Sequence, residues 1–347
     1  VSPAGNYPML VDFTNRGAAV VDVRLRNYRR IVGRDDPYPL LDAVRDEDEQ
    51  AYYSLATEKL RIETFKTDVP LDEIPWEIDR AACTDGRVVF RTTIEQHGEP
   101  VMEVTKTFTL PPTGPEPPRK QRSIEKQEHD LSLEYAFRNL TDRPLDAILV
   151  QRGPIGIHQE DPRADDRGVM AAIQKNAHIA VRKKHTRKEV TGGKTVELGK
   201  DDTSQTVAWA ALANKYFACI VRPVRNDGRT IGIARAEAVQ LTGSEDTHFG
   251  EDMTFRLITS PFRIDAGGTT DLGFACYLGP KSKNAFEKIA EYARYNYFQV
   301  VQVDFYCCAP SPIVRFMMWL LQVLYWPLKN YGVAIILLVV IVRVILH

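Results

Sequence analysis

The sequence predicts a mainly β fold, a large antiparallel sandwich followed by helices, and three observations carry that prediction. Short runs rich in β-branched and aromatic residues recur as far as Pro280, each bounded by Gly, Pro or Asn turn signals. No strand–helix–strand alternation occurs, which argues against a doubly wound parallel sheet. Helical spacing of apolar residues begins only after Pro280. The chain has 347 residues, with 45 Lys and Arg against 46 Asp and Glu, a net charge of −1. With 44% hydrophobic and 26% charged residues it is not a disordered chain, and it offers no positive excess for nucleic acid.

The strands follow in order. Met9 to Phe13 and Ala18 to Leu25 are joined by the turn signal Asn15-Arg16-Gly17. Val88 to Glu95 and Val101 to Leu110 alternate around Gln96-His97-Gly98, which predicts a second hairpin. Leu131 to Phe137 alternates as well, and a turn over 139–144 leads into Leu145 to Val150. Further strands are predicted at Val207 to Leu212, Tyr216 to Pro223, Ala234 to Leu241, Met253 to Ile258 and Asp271 to Leu278. Asp42 to Gln50 reads as an acidic surface stretch. Pro111 to Lys120 reads as a loop, since each Pro lacks an amide donor, and Gly153 to Gly168 as a long excursion. Arg182 to Lys188 is the only dense basic run and reads as a solvated hairpin or loop face. The five cysteines (83, 219, 276, 307 and 308) form no CxxC and no zinc-ligand spacing, so no metal site is expected. Cys219 and Cys276 read as small buried apolar residues.

Lys281 to Tyr297 places Phe286, Ile289, Ala290, Ala293 and Tyr297 on one helical face. A break at Tyr306 to Pro312 follows, with Ser311 as N-cap and Pro312 at the first helical position. From Ile313 onward the only Lys or Arg are Arg315, Lys329 and Arg343, and no Asp or Glu occurs. A helix over Ile313 to Leu328 reaches about 24 Å, short of the ~30 Å hydrocarbon core. Trp319, Tyr325 and Trp326, with Tyr331 beyond them, favour a helix lying in the interfacial plane. Val333 to Leu346 reads as the start of a spanning helix, apolar without interruption to Val342. A charge at mid-depth costs ~2.5–3.5 kcal/mol, so Arg343 is expected to face protein or a water-filled cavity; snorkelling to headgroups is the alternative. Val1 at one end and an apolar run cut at His347 predict a piece of a longer chain. The expected boundaries are a β domain over 1–280, a helical segment and connection over 281–310, an interfacial helix over 311–328 and a truncated membrane helix over 332–347.

Asn330-Tyr331-Gly332-Val333-Ala334-Ile335-Ile336-Leu337-Leu338, continuing to Arg343, resembles the second transmembrane helix of the bacterial YidC/Oxa/Alb family of membrane protein insertases. The helix around Trp319-Leu320-Leu321 resembles the family's amphipathic helix. Trp209 to Phe217 is similar to its strand motif around Lys-Tyr-Phe, and Tyr277-Leu278-Gly279-Pro280-Lys281 to its junction into the last periplasmic helices. Thr14 to Tyr28 resembles its first hairpin. Gly17-Ala18 departs from a frequent Gly-Gly, and Tyr331 from a frequent Trp. The resemblance implies a β-supersandwich similar to sugar mutarotases, with residues 1–310 in the periplasm and the whole protein multi-pass in the inner membrane. It implies a hydrophilic groove in which Arg343 attracts polar parts of a substrate. The implied partners are nascent membrane proteins, the lipid bilayer and the Sec translocon, without nucleic acid, cofactor or covalent chemistry.

Two other readings are weighed. A sugar enzyme needs an acid and a base converging in one cleft. Yet His97, His129, His158, His178, His185, His248 and His347 are scattered, and Asp161, Asp165 and Asp166 share only a loop. The second is a membrane-anchored binding module that docks on a partner without inserting anything.

Overall fold

In the computed structural model the residues described are 7–31, 33–46, 49–111, 129–160, 165–176, 178–190, 195–200, 205–224, 231–241, 252–301 and 311–346. The chain divides into two units, Val1–Val300 and Val301–His347. The first is an antiparallel β-supersandwich. Its opening strands β1 (Met9–Thr14), β2 (Ala19–Arg29) and β3 (Pro37–Leu41) form a three-stranded sheet, and β4 (Val44–Arg45) and β5 (Ala51–Tyr52) a two-stranded ladder. A seven-stranded sheet runs β7 (Thr67–Pro70), β6 (Thr57–Ile62), β12 (Leu145–Arg152), β19 (Met253–Thr259), β18 (Ile233–Gln240) and β15 (Val196–Lys200), with β20 (Phe262–Ile264) also paired to β12. The nine-stranded sheet runs β8 (Glu77–Ile78), β9 (Arg87–Gln96), β10 (Glu99–Thr109), β11 (Asp130–Asn139), β21 (Thr269–Pro280), β17 (Phe217–Val224), β16 (Thr206–Ala213), β13 (Gly168–Lys175) and β14 (His178–Thr186).

Side-chain period two sets the register of these sheets. On β11, Leu131, Leu133, Tyr135 and Phe137 are buried, while the residues between them are exposed or half-buried. Across the ladder to β10, Phe108, Lys106 and Val104 stand opposite Leu133, Tyr135 and Phe137 on that same inward face. The first hairpin turns where the sequence predicts, with Gly17 at φ +67° and its Cα so near Asp72 that a Cβ would lie 2.9 Å from the Asp72 backbone. Phe13 from that hairpin reaches the Phe90 and Phe108 rings, so the small sheet is joined to the common core. Cys219 and Cys276 are fully buried, as their apolar surroundings imply.

The basic run lies on a hairpin: His178–Thr186 is β14, paired antiparallel to β13 and terminal in the nine-stranded sheet, and Arg187–Val190 is a single helical turn, α1. Within the Asp42 to Gln50 stretch, Val44–Arg45 pairs with β5. One reading needs correction. The helix expected over Lys281 to Tyr297 is broken into α2 (Lys283–Lys288), α3 (Ala290–Arg294) and a 3₁₀ turn at Tyr297–Val300, with Ile289 extended at φ −77°, ψ 115°. Packing explains the break. In one continuous helix Tyr292 would point about 120° away from Phe286. The break brings Phe286, Tyr292 and Tyr297 together around Tyr277, with ring centroids 5.2 to 6.2 Å apart. The Pro-rich stretch beyond Pro111 and the break before Ser311 lie outside the described residues.

The second unit holds α4 (Ser311–Leu328) and α5 (Tyr331–Leu346). The Tyr325 and Tyr331 rings stack across their junction at 3.9 Å, and Asn330 Oδ1 accepts from the Gly332 N–H at 2.9 Å, capping α5. Among the described residues no helix is long and apolar enough to cross a membrane.

Candidate functional site

The second unit presents apolar side chains to solvent in an ordered way. Phe316, Trp319, Val323 and Trp326 recur at three- and four-residue spacing, which is one stripe of α4, and all four are exposed, Trp326 to 83%. On α5, Ala334 is buried and Leu338, Ile341 and Val342 are half-buried on the same face. Arg343 lies about 180° around the helix from Ala334, exposed, in company with exposed Ile336, Val339 and Val340. A contiguous apolar surface of this kind marks contact with lipid or with other protein. A guanidinium within it needs a polar or wet partner. Of the residues singled out for the interface, Trp319 and Trp326 share the outward stripe, while Tyr325 and Tyr331 pair with each other.

The first unit carries most of the titratable groups, and their geometry is structural. Arg167 donates from Nε and Nη2 to the two oxygens of Asp165, both at 2.9 Å, and from Nη1 to Asp252 at 3.4 Å. Asp252 also accepts the Gly156 N–H at 2.6 Å and the Met253 N–H at 2.8 Å, and burial pushes its carboxyl up. Asp166 adds charge beside the same guanidinium, and Asp161 lies outside the described residues. His158 is hydrogen-bonded to Asp42 at 2.8 Å, and that bond holds the Asp42 carboxyl below its usual range. His129 is half-buried against the Tyr28 and Tyr277 rings, and desolvation lowers it to about 4. His97 sits in the β9–β10 turn at φ 54°, and His185 lies 3.5 Å from Glu189. His248 and His347 lie outside the described residues. His158 and His185 thus each stand beside a carboxylate, and among the described residues no group of three or more His, Cys, Asp or Glu is placed to hold a metal ion.

One group escaped sequence reasoning. Lys106 is completely buried between the sheets, donating to Leu55 O at 2.6 Å and Thr57 Oγ1 at 2.9 Å, with the Phe108 and Tyr135 rings about 5 Å away. The Thr57 hydroxyl also meets the Tyr135 hydroxyl at 2.8 Å, and Tyr135 donates to Gln151 Oε1 at 2.5 Å. Burial drives the amine well below the ordinary lysine range. The only signal was parity: in Val104-Thr105-Lys106-Thr107-Phe108, Lys106 occupies an inward position.

The two motifs build the joint between sandwich and helices. Asn214 Oδ1 accepts the Tyr216 and Phe217 N–H groups, at 3.0 and 2.8 Å, and Phe217 stacks on Tyr38 at 4.3 Å. Tyr277 donates its hydroxyl to Pro280 O at 2.6 Å, and Lys281 N donates to Tyr216 O at 2.7 Å. Ser282 then caps α2, its hydroxyl accepting from Ala285 N. Trp209 Nε1 donates to Tyr295 O at 2.8 Å, and the Tyr292 hydroxyl to Asp130 at 2.8 Å. A sequence model described as the YidC periplasmic domain matches residues 117–302, a segment that contains this joint and more than half of the chain. The chain belongs to that family. A membrane protein insertase YidC from Treponema denticola is 20% identical over 345 residues, which are 96% of this chain and 52% of that protein. One from Treponema pallidum is 25% identical over 151 residues, 42% of this chain and 22% of that protein. The chain thus spans about half, or less, of the length of these YidC relatives. Among solved structures, a galactose mutarotase-like protein from Lactobacillus casei has a TM-score of 0.47 at 12% identity, over 79% of this chain and 98% of that one. A putative aldose 1-epimerase from Escherichia coli has a TM-score of 0.46 at 8% identity, over 78% and 96%. In YidC terms the two motifs hold the last helices of the periplasmic domain against its sheet.

Proposed function

We propose that this chain is the periplasmic β domain and first membrane-contacting helices of an insertase that assists membrane proteins into the bacterial inner membrane. Family membership and the insertase-named relatives support the class. The observation that carries the site is the outward apolar surface of α5 with Arg343 in its last turn. In this reading the residues before Ser311 lie in the periplasm, and α4 rests in the headgroup region on Trp319 and Trp326, near Tyr325 and Tyr331. α5 enters the hydrocarbon region. Arg343 faces a hydrophilic groove completed by further helices of a multi-pass protein. The guanidinium attracts an acidic or polar stretch of the nascent substrate and lowers the cost of carrying it partway across. Partition of the apolar part into lipid completes the step without covalent chemistry or a cofactor. The Sec translocon is a proposed partner of the same assembly.

The test is insertion of a substrate with an acidic translocated tail by the full-length protein in reconstituted vesicles. Arg343→Ala is expected to lower insertion roughly tenfold, equivalent to about 1.4 kcal/mol, and Arg343→Lys to retain most of it. Unchanged insertion by the Ala variant would remove the role assigned to Arg343. Failure of the unaltered protein to insert anything would leave a docking module instead.

A further inference from the structure

The basic run has no part in the reading above, yet the fold gives it a particular address. Between Lys175 and Lys188 the chain carries Lys175, Arg182, Lys183, Lys184, Arg187 and Lys188, with no Asp or Glu, although the whole molecule is at −1. The run occupies β14 and the turn of helix after it, and among the described residues β14 pairs with β13 alone, as the terminal strand of its sheet. Lysine on a terminal strand is a common guard against edge-to-edge pairing. Five Lys or Arg in the seven positions Arg182 to Lys188 exceed that need.

The second observation is where the first unit ends. Asn296 Nδ2 donates to Ile179 O of β14 at 2.9 Å, and the 3₁₀ turn that follows closes with fully buried Val300. The chain therefore leaves this unit beside the strand that carries the positive charge. At the end of the basic run Glu189 takes the Thr186 N–H at 3.1 Å and lies 3.5 Å from His185.

We propose that β14 is a docking strand for an anionic phospholipid surface, which holds the β domain against the membrane beside its own tether. The proposal rests on the reading of α4 as an interfacial helix. Tethering supplies the high local concentration that a weak electrostatic contact needs, and attraction of each basic residue to anionic headgroups decays within a Debye length. A bilayer fits the run better than a nucleic acid does, because the chain as a whole has no excess positive charge to draw a polyanion from solution.

The experiment uses the whole 347-residue chain in nanodiscs, with a donor fluorophore at position 176 and an acceptor on lipid headgroups. With a quarter phosphatidylglycerol in phosphatidylcholine at low salt, energy transfer is expected to rise about threefold over phosphatidylcholine alone. It should return to that baseline at 0.5 M salt and in the R182E/K183E/K184E variant. Quenching of Trp319 and Trp326 by brominated lipid is read in the same discs, since Trp76 and Trp209 are buried. Tryptophan quenching without any dependence on phosphatidylglycerol overturns the docking strand and leaves the interfacial helix standing. Absence of tryptophan quenching overturns the reading beneath it. Retention on heparin that is lost in the variant, with energy transfer indifferent to lipid charge, assigns the run to a soluble polyanion and also overturns the proposal.

Discussion

Replacing Lys106 with Met asks whether the sandwich core holds a neutral amine. An ordinary lysine titrates near 10.4, and burial drives this amine well below that range, so folding releases its proton wherever the pH lies between the two values. The amine recovers part of the cost of that release through Leu55 O and Thr57 Oγ1. Methionine keeps the stem's bulk and leaves Leu55 O without that donor, a loss of about 1–3 kcal/mol, while Thr57 keeps its contact with Tyr135. The balance favours the variant at neutral pH, because the cost of discharging the amine disappears with it. The sign of the pH dependence follows from burial. The unfolded chain binds a proton that the native state lacks, so parent stability rises with pH up to the ordinary lysine range and then levels off. The methionine variant lacks this slope. Its advantage is expected to shrink as the pH rises towards the ordinary lysine range, at no more than about 1.4 kcal/mol per pH unit. Urea unfolding in mild detergent, followed by Trp76 and Trp209 fluorescence at pH 7, 8 and 9, measures it. Parallel stability curves for the two proteins would refute the argument, because they mean that the amine stays charged.

Gly279→Ala places a Cβ 2.7 Å from His129 Cγ, in a joint with no slack, and should lower stability by about 1–3 kcal/mol in the same assay. His129 and its neighbour Asp130 are expected to act in opposite directions on acidification. Desolvation lowers His129 to about 4, so native stability is lost as pH falls from about 6.5 towards 4. Burial raises Asp130 to about 6, so its carboxyl takes a proton first in the native state and contributes stability as pH falls from 6. His129→Phe should therefore become more stable from pH 6 to 4 and Asp130→Asn less so, and equal slopes in the two variants would contradict both assignments. Changing Trp319 and Trp326 together to Asp should release α4 from lipid, read as loss of brominated-lipid quenching of a bimane fluorophore at position 322, since the variant carries no exposed indole; persistence of that quenching would place the contact elsewhere.

Most of the sandwich was legible because its strands alternate. Residues 130–139 and 99–109 declare an inward face in sequence, and their ladder follows it. β13 was not legible for the opposite reason: Gly168 to Ile173 are all buried, which erases the period. β14 was hidden by its charge. The break at Ile289 could not be read at all, since a helix pattern fits 281–297 well until Tyr292 must join the ring cluster around Tyr277. At the candidate site, Arg343 and the two tryptophans stood out because charge and indole are conspicuous in an apolar run. Lys106 did not, since lysine is so seldom buried that an inward parity on one strand is weak evidence.

The order of the nine-stranded sheet bears on how this protein is made. β21, the last strand of the domain, lies at its centre, paired to β17 on one side and β11 on the other. Until residues 269–280 arrive, the strands before them form two separate ribbons with raw edges. A chain that emerges N-terminus first therefore cannot nucleate the finished sheet early. It must remain open for nearly the whole length of the domain and close late, through pairings far apart in sequence, a slow and aggregation-exposed route. Closure falls due just as the apolar tail emerges, so maturation of the sandwich and delivery of that tail to the bilayer become nearly simultaneous events.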